Sequence, residues 1–256
     1  DAAVLERVPA LKMVAYAAGT VRPLVSDELW SREIAVSSAA QANAVPVAEF
    51  TFAAIVMAAK DVFRIRDRHR ETRGQDWVQG IGPAGPVGTN GIRIGIVGAS
   101  RIGRPVIERL ATLDAQVGVA DPFLTDEDAA TLGVVPMAAE DLFGWANIVS
   151  LHAPALPSTD RMVDAALLAA MPDGAWLINT ARGSLVDTAA LEAECSTGRL
   201  CALIDTAEPE PFRADSPLYD LENVVLTPHI AGSLGNEISR MGDLAVDEVE
   251  RWLLGR

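Results

Sequence analysis

Apolar residues recur along the chain in short runs, and their spacing predicts two kinds of element. Residues 11–16 and 34–36 read as strands, with a short polar helix at about 26–32 between them. From Pro46 the period changes. Val47, Phe50, Ala54, Ile55 and Ala58 follow helical spacing, which predicts a helix with Pro46 in its first turn, running to about Arg73. Residues 80–88 are dense in glycine and proline and read as a connection. Strands at 92–97, 117–120 and 148–151 then alternate with a helix at 104–113, an acidic, alanine-rich helix, and a helix near 164–170. Three more apolar runs follow at 175–178, 201–204 and 224–226. Residues 235–254 read as one amphipathic helix.

Such a βαβ series implies an α/β fold of the Rossmann type, a doubly wound parallel sheet with helices on both faces. In open sheets of this kind ligands gather outside the carboxyl ends of the strands. Each of the last three runs ends in a polar segment there: Asn179-Thr180-Ala181-Arg182-Gly183, then Asp205 to Pro211, then Thr227-Pro228-His229. Arg182 offers a fork for a carboxylate, Glu210 a carboxylate to hold an imidazole, and His229 an imidazole to move a proton. That is equipment for reducing a 2-oxo acid.

Composition narrows the picture. Half of the 256 residues are hydrophobic and 22% are charged, ordinary for a globular protein. The net charge of −14 argues against nucleic-acid binding, which relies on Lys and Arg at phosphates. Arg64, Arg66, Arg68, Arg70 and Arg73 around His69 run against this charge and read as a solvated helix end. No apolar stretch is expected to approach the roughly 20 residues that span a bilayer, and no leader pattern opens the chain, so a cytoplasmic location and no membrane contact are expected. Cys195 and Cys201 are expected to be reduced and structural, and no metal site is expected.

The segment Gly98-Ala99-Ser100-Arg101-Ile102-Gly103 follows a predicted strand and opens a predicted helix. It is a dinucleotide fingerprint with Ser100 in place of the middle glycine. Asp121 ends the next strand, where its carboxylate can accept from ribose hydroxyls and repel the extra phosphate of NADP. NAD is therefore the expected cofactor. Gly98 makes the tight turn and Gly103 brings helix and strand together. Ser100 either crowds the pyrophosphate or hydrogen-bonds one of its oxygens.

Together these segments, with Ser150 to Pro154 and the stretch around Asn43 and Glu49, resemble the D-isomer-specific 2-hydroxyacid dehydrogenase family across nearly the whole chain. The resemblance implies NAD-dependent hydride transfer, a two-domain subunit and a homodimer. By motif position Arg182 binds substrate, His229 is the acid/base, and Glu210, five residues after Asp205, is its partner rather than Glu208. A carboxylate beside an imidazole also raises its pKa and fixes its tautomer. Gly19, Thr20 and Val21 lie where the family binds the substrate carboxylate, although Val21-Arg22-Pro23 departs from the family's Gly-Val-Asp. His152 and Pro154 are expected near the adenine or ribose, and Thr180, Asp205 and Gly232 near the nicotinamide.

The resemblance further implies a discontinuous, flavodoxin-like substrate domain at 1–43 and 232–256, with the cofactor domain at 44–231. Because family members usually carry about half a domain more before the position of Asp1, either an upstream segment or a reduced substrate domain is expected. Glyoxylate, hydroxypyruvate, pyruvate and 3-phosphohydroxypyruvate all suit such a site. A different class, an NAD(H)-sensing corepressor on the same fold, is the alternative.

Overall fold

The structure, a computed structural model, describes residues 2–22, 24–75 and 87–255. Of the connection expected at 80–88, residues 80–86 lie outside the described residues. In chain order the elements are α1 (Ala2–Arg7), β1 (Met13–Tyr16), α2 (Asp27–Ser31), β2 (Ala35–Ser38), α3 (Ala40–Ala59), α4 (Val62–Glu71), β3 (Arg93–Val97), α5 (Gly103–Leu110) and β4 (Gln116–Ala120). They continue with α6 (Asp126–Leu132), β5 (Val135–Pro136), α7 (Ala139–Trp145), β6 (Ile148–Leu151), α8 (Ala165–Ala170), β7 (Trp176–Asn179), α9 (Thr188–Ser196), β8 (Cys201–Ile204), β9 (Val224–Leu226) and α10 (Ile238–Leu253). The chain forms two compact units: Asp1–Val47 with Gly232–Arg256, and Ala48–Ala231.

The larger unit holds a seven-stranded sheet in the order β5-β4-β3-β6-β7-β8-β9, and every neighbouring pair is parallel. The chain winds outward from β3 to β5, returns to β6 on the other side of β3, and then winds the opposite way. The strand order therefore reverses between β3 and β6. Successive residues of each central strand fall into two separate cores. In β7, Trp176 and Ile178 join one cluster and Leu177 the other; in β8, Cys201 and Leu203 alternate with Ala202 and Ile204. Helix α5 covers one face through Val106, Ile107 and Leu110, and α7, α8 and α9 cover the other through Phe143, Leu168 and Leu191. Burial on both faces explains why these strands read as continuous apolar runs.

The helix expected to open at Pro46 begins instead at Ala40, with Pro46 in its interior. An alanine-rich start favours helix, and the proline removes one hydrogen bond, to the carbonyl of Ala42, without ending the element. Nor does it continue to Arg73. Asp61 takes a left-handed conformation (φ 52°) and separates α3 from α4. Helix α3 also overturns the expectation about apolar length. It has 20 residues, with a mean hydropathy of 1.5 in its most apolar window, enough by length and composition to cross a membrane. Over half of that window is buried inside the protein, so tertiary packing accounts for its apolar character. Helices α1, α7 and α9 and the two-residue β5 had no clear sequence signal.

In the smaller unit β1 and β2 pair in parallel, Met13 opposite Ala35 through Tyr16 opposite Ser38. Leu5, Leu29 and Ile34 form its core with Leu11, Val14 and Val36, while Met241 and Leu244 of α10 pack with Ala39 and Ala42. Asn43 Oδ1 accepts the Ser233 backbone N–H at 2.9 Å. In the larger unit, three arginines of α4 are in ion pairs: Arg64 with Asp61, Arg66 with Asp67 and Arg68 with Glu71.

Candidate active site

The reversal of strand order places the turn after β3 against the end of β6. Gly98 has φ +96°, and a Cβ there would lie 3.0 Å from both the Ala153 nitrogen and the His152 carbonyl carbon. A Cβ on Gly103 would run into the Gly98 carbonyl oxygen. Both positions therefore need glycine, and the turn between them leads into the N-terminus of α5, where amides and the helix dipole favour an anion. Ser100 has a local role besides the two expected for it. Its hydroxyl oxygen accepts the N–H groups of Ile102 and Gly103, both at 3.3 Å, and so caps the start of α5 from the preceding turn. Arg101 is exposed beside it.

Asp121, at the end of β4, is tied to the same turn. Its Oδ2 accepts the Ala99 N–H at 2.7 Å and its Oδ1 the Phe123 N–H at 2.8 Å. Each oxygen retains a lone pair for a ribose hydroxyl. The backbone cradle, the helix N-terminus and the acidic residue on the neighbouring strand fit a dinucleotide. His152, expected near the adenosine, is buried, with 3% of the residue exposed. Nε2 lies 3.0 Å from Ser150 Oγ, Nδ1 has no hydrogen-bond partner among the described residues, and burial pushes the imidazole pKa down to about 3. Pro154 is exposed, and its carbonyl accepts from the Thr159 hydroxyl at 2.6 Å.

The residues expected to bind substrate and move the proton follow three adjacent strands, β7, β8 and β9. At the end of β7, Asn179 is buried and shapes the turn: its Oδ1 accepts the Ala181 N–H and its Nδ2 donates to the Arg182 carbonyl, at 3.1 and 2.8 Å. Thr180 is buried, with its hydroxyl 2.7 Å from that of Thr51 on α3. The Arg182 guanidinium donates to the neighbouring Ala181 carbonyl and has no ion pair among the described residues. Gly183 lies so close to the Ala207 backbone that a Cβ would overlap it, locking the β7 turn to the β8 loop.

After β8, Asp205 is 2% exposed and organises the loop that carries His229. Its Oδ1 accepts from the Thr227 hydroxyl at 2.6 Å and the Ile230 N–H at 2.8 Å, and its Oδ2 accepts the Ala231 N–H at 3.0 Å. The Asp205 carbonyl also accepts the His229 N–H at 2.9 Å. His229 itself has a left-handed backbone (φ 55°), and its Nδ1 lies 2.7 Å from Glu210 Oε1, each side chain 48% exposed. The carboxylate that meets His229 is Glu210; Glu208 instead accepts the Thr188 hydroxyl through its backbone carbonyl.

Gly19, Thr20 and Gly232 belong to the smaller unit. Gly19 and Thr20 follow the carboxyl end of β1, and Thr20 Oγ1 accepts the Arg22 N–H at 3.4 Å. A Cβ on Gly232 would lie 3.2 Å from the Asn43 amide oxygen. Sequence reading missed Asn179 and Thr51 as braces of the Arg182 turn. A polar residue ending a buried strand was the available signal for Asn179, and nothing local marks Thr51.

A sequence profile described as D-isomer specific 2-hydroxyacid dehydrogenase, NAD binding domain, matches residues 52–231. The chain is 33% identical over its whole length to D-3-phosphoglycerate dehydrogenase of Mycobacterium leprae (strain TN), of which it covers 47%. It thus spans about half the length of the phosphoglycerate dehydrogenases it matches. It is 34% identical to (S)-sulfolactate dehydrogenase of Chromohalobacter salexigens, covering 99% of this chain and 81% of that one. Among solved structures, D-lactate dehydrogenase from Aquifex aeolicus complexed with NAD and lactic acid superposes with a TM-score of 0.79 at 27% identity, covering all of this chain and 80% of that one. The strand order, the glycine cradle and these likenesses agree: the chain belongs to the D-isomer specific 2-hydroxyacid dehydrogenase family, whose domain binds NAD.

Proposed function

We propose that the protein is an NAD-dependent oxidoreductase that interconverts a D-2-hydroxy acid and its 2-oxo acid, with His229 as acid/base, Glu210 as its partner and Arg182 as the substrate clamp. The observation that carries the reading is the His229–Glu210 contact of 2.7 Å, on the edge of an NAD-binding sheet, one strand from the Arg182 turn. With Nδ1 facing the carboxylate, the free Nε2 is the atom that gives a proton to the carbonyl oxygen or takes one from the hydroxyl. Arg182, exposed at the end of β7, holds the substrate carboxylate and polarises the 2-oxo group with its fork. NAD(H), when bound, supplies or accepts the hydride at the carbon that bears this oxygen. Gly98 to Gly103 hold the pyrophosphate, and Asp121 holds the adenosine ribose and disfavours a 2′-phosphate.

The same reading gives residues 1–43 and 232–256 to substrate binding and 44–231 to the cofactor. Backbone N–H groups at Gly19 and Thr20 meet the substrate carboxylate, while Thr180, Asp205 and Gly232 line the nicotinamide end and His152 and Pro154 the adenosine end. A small 2-oxo acid and a second copy of the chain are the proposed partners. NADH consumption with glyoxylate, hydroxypyruvate, pyruvate and 3-phosphohydroxypyruvate, repeated with NADPH, tests this. Turnover of at least one acid, and its loss in His229→Ala with NADH binding retained, is the expected result. Tight NADH binding with no turnover of any acid would overturn the enzyme in favour of an NAD(H)-sensing role.

A further inference from the structure

The turn that carries the cofactor fingerprint has a cation beside it that the proposed function leaves unused. Arg104, in the first turn of α5, donates from Nε to the Ala99 carbonyl at 3.1 Å. Ala99 is the residue whose N–H Asp121 accepts. The peptide groups of one residue thus connect the guanidinium to the carboxylate expected to hold the ribose. The same guanidinium donates from Nη2 to Asp128 Oδ2 at 2.7 Å, and both side chains are about 40% exposed. Asp128 lies in the first turn of α6 beside Asp126 and Glu127, with Thr125 as the N-cap. The hydrogen bond from Arg104 holds the Asp128 carboxyl below the usual range. Arg104 in turn is stabilised as a cation by that bond first, then by the charges of Asp128, Asp121 and Glu108.

We infer that the Arg104–Asp128 pair is a second determinant of cofactor choice: Asp128 engages a guanidinium that lies beside the Asp121 turn, where it could otherwise receive a phosphate on the adenosine 2′-oxygen. The inference rests on the proposed placement of the ribose beside Asp121. A free arginine at this point would favour a 2′-phosphate, since a planar fork binds phosphate with two parallel hydrogen bonds. Asp128 takes Nη2 and the Ala99 carbonyl takes Nε, and the Asp128 carboxylate offsets the charge. Discrimination against NADP is then shared between repulsion by Asp121 and sequestration of Arg104. Asp128→Asn weakens the hold on Arg104 without altering Asp121 or the glycine turn.

Calorimetric titration of the chain with 2′,5′-ADP and with 5′-AMP reads the 2′-phosphate contribution without requiring turnover, and fluorescence titration with NADPH and NADH gives the same ratio for the whole cofactor. Asp128→Asn is expected to shift the ratio of affinities toward the 2′-phosphorylated ligand by three- to tenfold, and Arg104→Gln in that background is expected to abolish the gain. Asp126→Asn removes a neighbouring negative charge without touching Arg104 and serves as the control for a general field effect. An equal shift in Asp126→Asn, no shift in Asp128→Asn, or a gain that survives Arg104→Gln would each overturn the inference. Absence of NADH and 5′-AMP binding by the unaltered chain would remove the proposed cofactor site and this inference together, whereas normal NADH binding with an unmoved ratio counts against the pair alone.

Discussion

Asp205→Asn tests whether the His229 loop is held from beneath. The native carboxylate is buried and accepts three hydrogen bonds, two of them from backbone N–H groups, of which that of Ala231 is buried. An amide of the same shape keeps one acceptor oxygen, enough for Ile230 and Thr227, but presents an NH2 group to the Ala231 N–H. One charge-assisted bond is lost and two donors are left face to face. Each hydrogen bond to a charged group contributes about 1.5–3 kcal/mol, and an unsatisfied buried donor costs about 1–3 kcal/mol. The expected loss is about 2–4 kcal/mol, a large share of the 5–15 kcal/mol typical of a native domain. For a unit of this size that corresponds to a fall in Tm of roughly 5–15 °C. Urea unfolding followed by circular dichroism reads it directly, through a lower midpoint at unchanged slope. Because the Asp205 carbonyl also accepts the His229 N–H, turnover should fall together with stability. A midpoint equal to that of the unaltered protein would refute the claim that this carboxylate supports the loop.

Other expectations follow from burial and close contact. The His152 imidazole takes up a proton only near pH 3 in the native state but near 6.5 when unfolded, so the unfolded state binds more protons in between. Stability should therefore be full above pH 6.5 and fall toward pH 3, with His152→Gln flattening the slope by up to about 1.4 kcal/mol per pH unit in chemical denaturation at pH 4–6. Burial pushes the thiols of Cys195 and Cys201 up to about 12 and about 11; at pH 8 neither should react with a thiol reagent in the native state, and both should react in urea. Rapid labelling of the native protein would contradict the packing of α9 and β8. Gly103→Ala should abolish NADH binding, measured by fluorescence titration, because its Cβ would overlap the Gly98 carbonyl oxygen. Retained affinity would mean that the turn can open.

The strands of the larger sheet and the polar residues at their carboxyl ends could be read from order alone. A parallel sheet buried on both faces needs uninterrupted apolar runs, and residues such as Gly98, Asp121, Arg182, Glu210 and His229 follow those runs directly. Helix α3 defeated the same reading. It is apolar nearly all round, so no single face marks its start, and its proline sits in the interior. Strand β5 is only two residues long and pairs with β4 at one edge. Local sequence therefore determined which residues reach the sheet edge. Only the tertiary structure decided what each does there. Ser100 caps the start of α5, Asp205 turns inward to hold a loop, Asn179 and Thr51 brace the Arg182 turn, and Arg104 is bound by Asp128. Those roles depend on partners between 2 and 129 residues away in the chain. A strand's period carries no record of such contacts, because hydrogen-bond partners are fixed by packing rather than by sequence distance.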